Sequence, residues 1–221
     1  MEQQYSLPLF PLNIVLFPGM PLPLHIFEER YLRLVAECLE KQEPFGVALI
    51  KTGAEVGETA VPHSIGTSAI ITESTQRKDG RVDINTIGYQ RFRILSLSHD
   101  LPFLQGLVQT LPPIDEDSDE AHAEAEQLRP HIEQYIQLLS DLTEAEVKLD
   151  QVPEKPILLA YLTAILLQVP QSDKQDLLAA GTIPEMLARE SKLLLREQRL
   201  LQSNIGAEFT LETDKIVFSA S

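Results

Sequence analysis

Five histidines and 33 acidic residues are the side chains of this 221-residue chain that could serve acid–base catalysis or metal binding. His25 stands next to Ile26 and Phe27, and the sequence places no acid or nucleophile near it. We therefore interpret His25 as a histidine that is satisfied within a β-rich barrel. A hydrolase with an unrecognised site, at His25 or a neighbouring acid, is the least favoured alternative.

Residue types that bind metals cluster at two places, without the spacing of a known metal site. The segment DEDSDE at 115–120 lacks the glycine and the ligand spacing of an EF-hand loop. His122, Glu124 and Glu126 are scattered ligands without a two-histidine helical motif. We interpret both places as solvated surface, and we predict no metal and no cofactor.

The sequence carries no motif for nucleotide hydrolysis or for nucleophilic catalysis. No glycine-rich segment has the Walker spacing, and no Gly-x-Ser-x-Gly elbow occurs. A Ser-Lys pair has no local signature to support it. We therefore predict a protein without catalytic activity, whose function is binding.

The charge balance disfavours anionic partners. Eighteen basic against 33 acidic residues give a formal charge of −15, which repels a phosphate backbone and an anionic lipid surface. The single Cys38 cannot form an internal disulfide, and we interpret it as a small buried hydrophobe. No basic residue precedes the first apolar run, as a signal peptide would require. We expect a cytoplasmic protein.

The elements that must position any site begin with a proline-rich apolar segment, LPLFPLNIVLFPGMPLPLHIFEERY at 7–31. Proline interrupts helices, whereas Leu, Val, Ile and Phe suit strands, so we predict short strands and turns. Apolar residues at spacings of three and four between Tyr31 and Leu39 predict one amphipathic helix. A buried strand at 44–50 follows this helix.

The pattern of residues 64–110 predicts further strands, and hence either a small mixed barrel or a highly bent sheet. Asp79-Gly80 lies between two alternating runs, which predicts a hairpin. Gly88 predicts a bulge or bend. After it, the alternation of side chains along the strand predicts that Phe92 and Ile94 point inward and that Arg91 and Arg93 point outward.

Apolar stripes at helical spacing in the remainder of the chain predict helices. The whole is therefore predicted to be an α+β protein with a barrel followed by a helical bundle. Pro130 is expected to mark the start or a kink of the first of these helices, and capping boxes are predicted at Ser172 and Thr182. We predict domains at 1–113 and 114–206. The tail at 207–221 is either a short strand or disordered.

Apolar residues in two predicted turns are the candidates for binding a polypeptide, because exposed apolar loops mark protein-binding surfaces. Packing inside the barrel is the alternative for each of them. The candidates are Phe17, Pro18, Met20, Pro21, Leu101 and Phe103.

Together, the opening motif, Ile65-Gly66-Thr67, KDGRVDINTIGYQRFRI at 78–94 and the late KQDLLA resemble the Lon substrate-binding domain. This is the N-terminal domain of the ATP-dependent protease Lon, here expected to stand alone. The resemblance implies a PUA-like β-barrel with an inserted helix, followed by an α-helical bundle. It also implies contact with unfolded or damaged polypeptides, with a protease or chaperone as a candidate partner. A peptidase label would reflect homology only, since the chain ends before Lon's ATPase and Ser-Lys peptidase.

Two further expectations follow from the resemblance. The matching Arg91 takes a structural role, pairing with an acid such as Asp83 or Glu28. A PUA-like barrel also leaves RNA binding as the alternative function, through a local basic patch that escapes the average charge. The residues of this patch are Arg77, Lys78, Arg81, Arg91 and Arg93.

Overall fold

The protein is described by a computed structural model over residues 3–53, 60–143 and 152–204. Across these residues it is a mixed α/β protein with seven strands and five helices. The strands are β1 Gln4–Leu12, β2 Pro21–Ile26, β3 Phe45–Thr52, β4 Val61–Pro62, β5 Ile65–Gln76, β6 Val82–Ser98 and β7 Leu104–Thr110. The helices are α1 Glu29–Lys41, α2 Asp119–Thr143, α3 Pro156–Leu166, α4 Gln171–Leu178 and α5 Ile183–Asn204. The predicted tail, 207–221, lies outside the described residues.

The seven strands form one largely antiparallel sheet, in the order β1-β7-β6-β5-β3-β4, with β2 paired to β6. β1 also pairs in parallel with β3, so the sheet curls, while β2 and β4 each pair with a single strand. The sheet is therefore not the clean barrel that was expected. The predicted hairpin joins β5 to β6, where Gly80 has a φ of +87°. Such positive φ values favour glycine.

The chain divides into two compact units. The first consists of the described residues of Met1–Ile114 and Pro170–Ala180, and the second of those of Asp115–Val169 and Gly181–Ser221. Helix α4 thus belongs with the strands, although the sequence groups it with the other helices of 114–206. The predicted domain ranges stay a prediction, and each unit is described separately below.

The core of the first unit is built on the inner face of the sheet. Leu7 and Leu9 of β1 pack with Phe92 of β6 and Val108 of β7, and all four are buried. Alternation along each strand places these residues on one face. Helix α1 covers another part of this unit, where the buried Tyr31 ring stacks on Phe10 with 3.8 Å between ring centroids.

The second unit contains α2, α3 and α5, which pack against one another. Helix α2 runs through Pro130, so this proline lies inside the helix and not at its start. Tyr135 of α2 is buried, and its hydroxyl accepts a hydrogen bond from the Gln168 amide at 3.1 Å. This bond satisfies a polar group that burial would otherwise leave without a partner.

One of the two predicted capping boxes is wrong. Ser172 lies inside α4, which begins one residue earlier and has no side-chain cap. At α5 the Thr182 hydroxyl accepts a hydrogen bond from the Glu185 amide at 3.3 Å, as predicted. The Glu185 carboxylate accepts a hydrogen bond at 2.7 Å from the amide of Gly181, the residue before Thr182. The two bonds satisfy amides at the helix start.

Glu190 is a fully buried carboxyl on the apolar stripe of α5. It lies in sequence between the buried Leu187 and Leu194, and neither of its side-chain oxygens has a hydrogen-bond partner in the described structure. Burial raises the pKa of the Glu190 carboxyl well above its ordinary value, because the negative charge would be desolvated without compensation. The neutral, protonated carboxyl is therefore the form that the folded unit favours.

We expect Glu190→Gln to remove a pH-dependent loss of stability. A carboxyl whose pKa is higher in the folded than in the unfolded state binds its proton more tightly when folded. The stability of the natural chain should therefore fall as pH rises from about 4.3, the ordinary glutamate pKa, through the raised pKa. Urea unfolding followed by circular dichroism should show the variant gaining stability relative to the natural chain across this range.

The matched control for this experiment is Glu133→Gln, on the exposed face of α2 in the same unit. It shows the effect on stability of removing one solvent-exposed carboxylate from the same unit. A Glu190→Gln difference in stability that does not change with pH would contradict the account of a buried, protonated carboxyl.

Candidate functional site

The first candidate turn is a tight β-turn over Phe17, Pro18, Gly19 and Met20. The Met20 amide donates to the Phe17 carbonyl at 3.0 Å, and Gly19 has a φ of +80°. Proline at the second position and a positive-φ glycine at the third are typical of a type II turn. This geometry places Pro18 at the tip of the turn.

Strand β6 holds this turn in place through the backbone of Gly88. The Gly19 amide donates to the Gly88 carbonyl at 2.8 Å, and the Gly88 amide donates to the Met20 carbonyl at 2.9 Å. A β-carbon on Gly88 would lie 2.1 Å from the Phe17 carbonyl oxygen, so only glycine permits this approach. Position 88 therefore ties the turn to the sheet.

The structure divides the six predicted binding residues into two groups. Phe17, Met20 and Phe103 are buried, so these side chains belong to the core of the first unit. Pro21 and Leu101 are exposed and Pro18 is half-buried. Only the second group is accessible to a partner, and the role of all six in binding stays a prediction.

An exposed apolar surface that the sequence analysis missed continues from Pro21 across three neighbouring strands. Ile87 of β6 lies directly opposite Pro21 of β2 on one side and Ile70 of β5 on the other. Directly opposed residues point to the same face of a sheet. Ile70 and Ile87 are 42% and 43% exposed, and Tyr89, two residues further along β6, is exposed as well. We call Pro21, Ile70, Ile87 and Tyr89 the apolar row.

Arg91 is not on the surface, and its partners are not acids. Its side chain is buried, and one guanidinium nitrogen, Nη1, donates to the carbonyls of Leu178 and Ala180, both at 3.0 Å. The predicted pairing with Asp83 or Glu28 is therefore wrong. Arg91 instead places its charge at the C-terminal end of α4, where the helix dipole is negative. Its structural role is to hold α4 within the first unit.

His25 has the acidic neighbour that sequence reasoning did not find. His25 Nδ1 lies 2.6 Å from Asp83 Oδ1, because the two residues are opposed in the β2–β6 pairing. Arg77 Nε donates to the other oxygen of Asp83 at 2.5 Å, and hydrogen bonds from His25 and then Arg77 lower the pKa of this carboxyl. The hydrogen bond described for the His25 side chain is to this carboxylate and not to a nucleophile. The group is an exposed charge cluster at the sheet surface.

Three of the five residues of the basic patch considered for RNA binding are paired or buried, while Lys78 and Arg93 are exposed. Arg77 pairs with Asp83, and Arg81 Nε lies 3.3 Å from a carboxylate oxygen of Asp79. Arg91 is buried. Pairing and burial reduce the positive charge that a phosphate backbone could meet. The geometry therefore does not favour the RNA-binding alternative.

Cys38 lies on the buried face of α1. Burial, with Glu37 and Glu43 nearby, raises the pKa of the thiol to about 11. The thiol is therefore protonated at neutral pH, which disfavours a nucleophilic role. No group of three or more metal-ligating side chains occurs among the described residues.

The order of motifs, the curled sheet and the helical unit match a known protein family. The family model of the substrate-binding domain of the ATP-dependent protease La (Lon) matches residues 6–196. The chain belongs to the Lon substrate-binding domain family. The resemblance inferred from the sequence motifs is thereby confirmed.

Curated Lon proteases align with this domain over a fraction of their own length. The chain is 26% identical over 199 residues to the Lon protease of Anaeromyxobacter dehalogenans, covering 89% of this chain and 24% of that protein. It is 31% identical over 168 residues to the Lon protease of Paraburkholderia phytofirmans, covering 75% of this chain and 21% of that protein. The chain therefore spans about a quarter or less of the length of these relatives.

Solved structures of Lon N-terminal domains share the fold. A Lon N-terminal domain protein from Xanthomonas campestris is 28% identical, with a TM-score of 0.63 over 86% of this chain and 98% of that one. The N-terminal domain of a Mycobacterium avium complex Lon protease has a TM-score of 0.65 over the same shares at 16% identity. At that identity the second likeness concerns the fold alone.

The Lon-family domain also shows no sign of a membrane-spanning helix where its structure is described: no helix there has both the length and the apolar character to cross a bilayer. The apolar α3 has only 11 residues. A helix needs about 20 residues to span the hydrocarbon core.

Proposed function

We propose that this Lon-family domain is a non-catalytic module that binds unfolded polypeptides through apolar segments exposed by unfolding. The apolar row is the observation that carries this proposal. Pro21, Ile87 and Ile70 are opposed on three paired strands, so the sheet presents them together, and the exposed Tyr89 follows Ile87 by two residues at the register shift of β6. Exposed apolar patches of this kind mark protein-binding surfaces.

The family supports the same proposal. Its model describes a substrate-binding domain, and the curated relatives are Lon proteases, enzymes whose substrates are polypeptides. Membership therefore supports a polypeptide as the ligand, and the apolar row supports apolar side chains as the part that is recognised. Within this proposal, a protease or chaperone is the partner that would receive the bound chain, and the cytoplasm is the compartment.

Two finer features of the fold belong to the same proposal. The curled sheet with its inserted helix α1 corresponds to an open, PUA-like arrangement of strands, and α2, α3 and α5 correspond to a helical bundle. The closing parallel pair β1–β3 supports the first assignment, and the mutual packing of the three helices supports the second. In this arrangement the β unit carries the binding surface.

We expect the double variant Ile70→Thr/Ile87→Thr to bind unfolded polypeptide about tenfold more weakly. Replacing each half-exposed isoleucine by the smaller, polar threonine removes about 0.7 kcal/mol of apolar burial against the ligand, and the sum of about 1.4 kcal/mol corresponds to a factor of ten. Threonine keeps the branched β-carbon that suits a strand. Fluorescence anisotropy of a labelled, permanently unfolded polypeptide gives the affinity, and the same label on a folded protein gives the control.

Leu158→Thr serves as the matched control variant, because Leu158 is similarly exposed but lies on α3 in the second unit. It should bind like the natural chain. Equal affinities of the double variant and the natural chain, with both folded, would remove the apolar row from the site. Failure of the natural chain to bind any unfolded polypeptide would overturn the proposed function itself.

A further inference from the structure

A cleft opens in the first unit where β4 and the end of β6 separate. It has a volume of about 460 Å³ and is lined by Lys51, by Val61–Ser64 and by 94–97 of β6. We call it the β6 cleft. It is separate from the apolar row, which lies on an earlier part of β6.

The pairing of the strands explains why the cleft exists. β5 pairs with β6 as far as Ile65 opposite Arg93, and the Ile94 amide then donates to the Ser64 carbonyl at 2.7 Å. The chain preceding β5 turns away to pair with β3 as β4. β6 nevertheless continues to Ser98, paired with β7 on its other side. The end of β6 and the chain that precedes β5 therefore separate just after Ile94.

The end of β6 has an edge with no strand partner among the described residues. Ser96, Leu97 and Ser98 pair with residues 105–107 of β7, Leu95 lies at a register shift in that pairing, and no described strand pairs with the other side of this segment. An unpaired edge presents backbone donors and acceptors, which another extended chain can satisfy. The opposite wall contains Pro62, which has no backbone N–H to donate. β6 is therefore the edge that can pair with an added strand.

The side chains around this edge define the chemistry of the ligand. Val61, Leu95 and Leu97 line the cleft and are 49%, 42% and 39% exposed. Lys51 is the one permanently charged side chain among the described lining residues, in a chain with a formal charge of −15. An extended apolar segment with an acidic residue near Lys51 complements this lining.

We propose that the β6 cleft binds an extended, apolar polypeptide segment as an added β-strand on the edge Leu95–Ser98. The inference rests on the proposed function in that its ligand is again an unfolded polypeptide. It adds a second contact that recognises the backbone, whereas the apolar row recognises side chains. At about 3.3 Å per residue, pairing along these four positions engages about 13 Å of ligand.

The test uses labelled ten-residue peptides in which valine alternates with serine around a single glutamate. A strand added at one edge uses the amide of every second residue. N-methylation of one alternate set of residues should weaken binding at least tenfold, and N-methylation of the other set should change it less than about twofold. Equal effects of the two sets, or no effect of either, would overturn strand pairing.

Two further measurements locate the site. Leu95→Thr/Leu97→Thr should weaken binding of the unmethylated peptide at least tenfold, and replacing the peptide's glutamate by lysine should weaken it as well. Peptide binding should also slow hydrogen exchange at the backbone amides of 95–98. If the double variant binds like the natural chain and exchange is unchanged, the cleft is not the site.

This failure is distinguishable from failure of the proposed function. If Ile70→Thr/Ile87→Thr weakens binding of unfolded polypeptide while the cleft variant and the methylated peptides have no selective effect, the cleft inference is wrong and the proposed function stands. If the natural chain binds neither unfolded polypeptide nor peptide, both are wrong.

Discussion

Replacing Arg91 with alanine should lower the free energy of unfolding of the first unit by about 3 kcal/mol, because hydrogen bonds from a charged donor contribute about 1.5–3 kcal/mol. The guanidinium donates to two carbonyls at the end of α4, Leu178 and Ala180, at 3.0 Å. Alanine would leave both without this donor and would remove the positive charge that the helix dipole favours there. Chemical denaturation, with hydrogen exchange of α4, measures the loss.

Arg91→Met separates hydrogen bonding from packing in this experiment. Methionine keeps an unbranched apolar side chain, comparable to the stem of arginine, but cannot donate to the carbonyls. We expect it to lose most of the stability that alanine loses, with α4 exchanging faster than the strands. If Arg91→Ala stayed within about 0.5 kcal/mol of the natural chain, the range of ordinary surface substitutions, the structural role of Arg91 would be wrong.

Gly88→Ala should also lower the free energy of unfolding of the first unit, by roughly 3 kcal/mol. This loss lies within the range that overpacking of a buried site produces. The added β-carbon would meet the Phe17 carbonyl oxygen, a backbone atom held in a tight turn. Relieving that clash requires the turn to leave β6, which breaks the hydrogen bonds of Gly88 to Gly19 and Met20. Differential scanning calorimetry should show an earlier transition.

Gly80→Ala is the matched control, because no atom lies within 4 Å of a β-carbon built at this glycine. Its φ of +87° still disfavours alanine, so we expect a loss of about 1 kcal/mol from strain alone. The difference between the two variants measures the close approach at Gly88. Equal losses would mean that the contact with Phe17 does not constrain the fold.

Local sequence patterns were sufficient to predict those elements whose conformation depends on a few neighbouring residues. Tyr31 and the apolar residues after it predicted α1, and Asp79-Gly80 predicted the β5–β6 hairpin. The turn predicted around Phe17 and Pro18 is also present in the structure. In each case steric limits on proline and glycine, or a helical period, leave few conformations.

The direction of Arg91 was not predictable by alternation alone. The register between β5 and β6 shifts between the pairs Ala69–Gly88 and Thr67–Arg91. A bulge of this kind inserts a residue and changes which side chains face the core, so Arg91 and Phe92 are both buried although they are adjacent. Gly88 predicted a bulge, but the sequence does not show how the register continues after it.

The apolar row could not be predicted from the sequence for a different reason. Its residues come from three strands, and Ile70 and Ile87 resemble core positions because isoleucine in a strand is usually buried. Only the pairing of β2, β6 and β5 shows that they lie together on the outer face. Long-range register also brings Asp83 to His25, and long-range packing brings α4 to the first unit.

The most direct test of polypeptide binding by the apolar row is a photocrosslinking experiment. A photoreactive aromatic amino acid replaces Tyr89, which is exposed on β6, and in a second sample it replaces Leu158 of α3. The account predicts a covalent adduct between position 89 and an unfolded polypeptide, none with the folded form of that polypeptide, and little from position 158. Equal adducts from both positions, or an adduct from position 158 alone, would contradict binding at the apolar row.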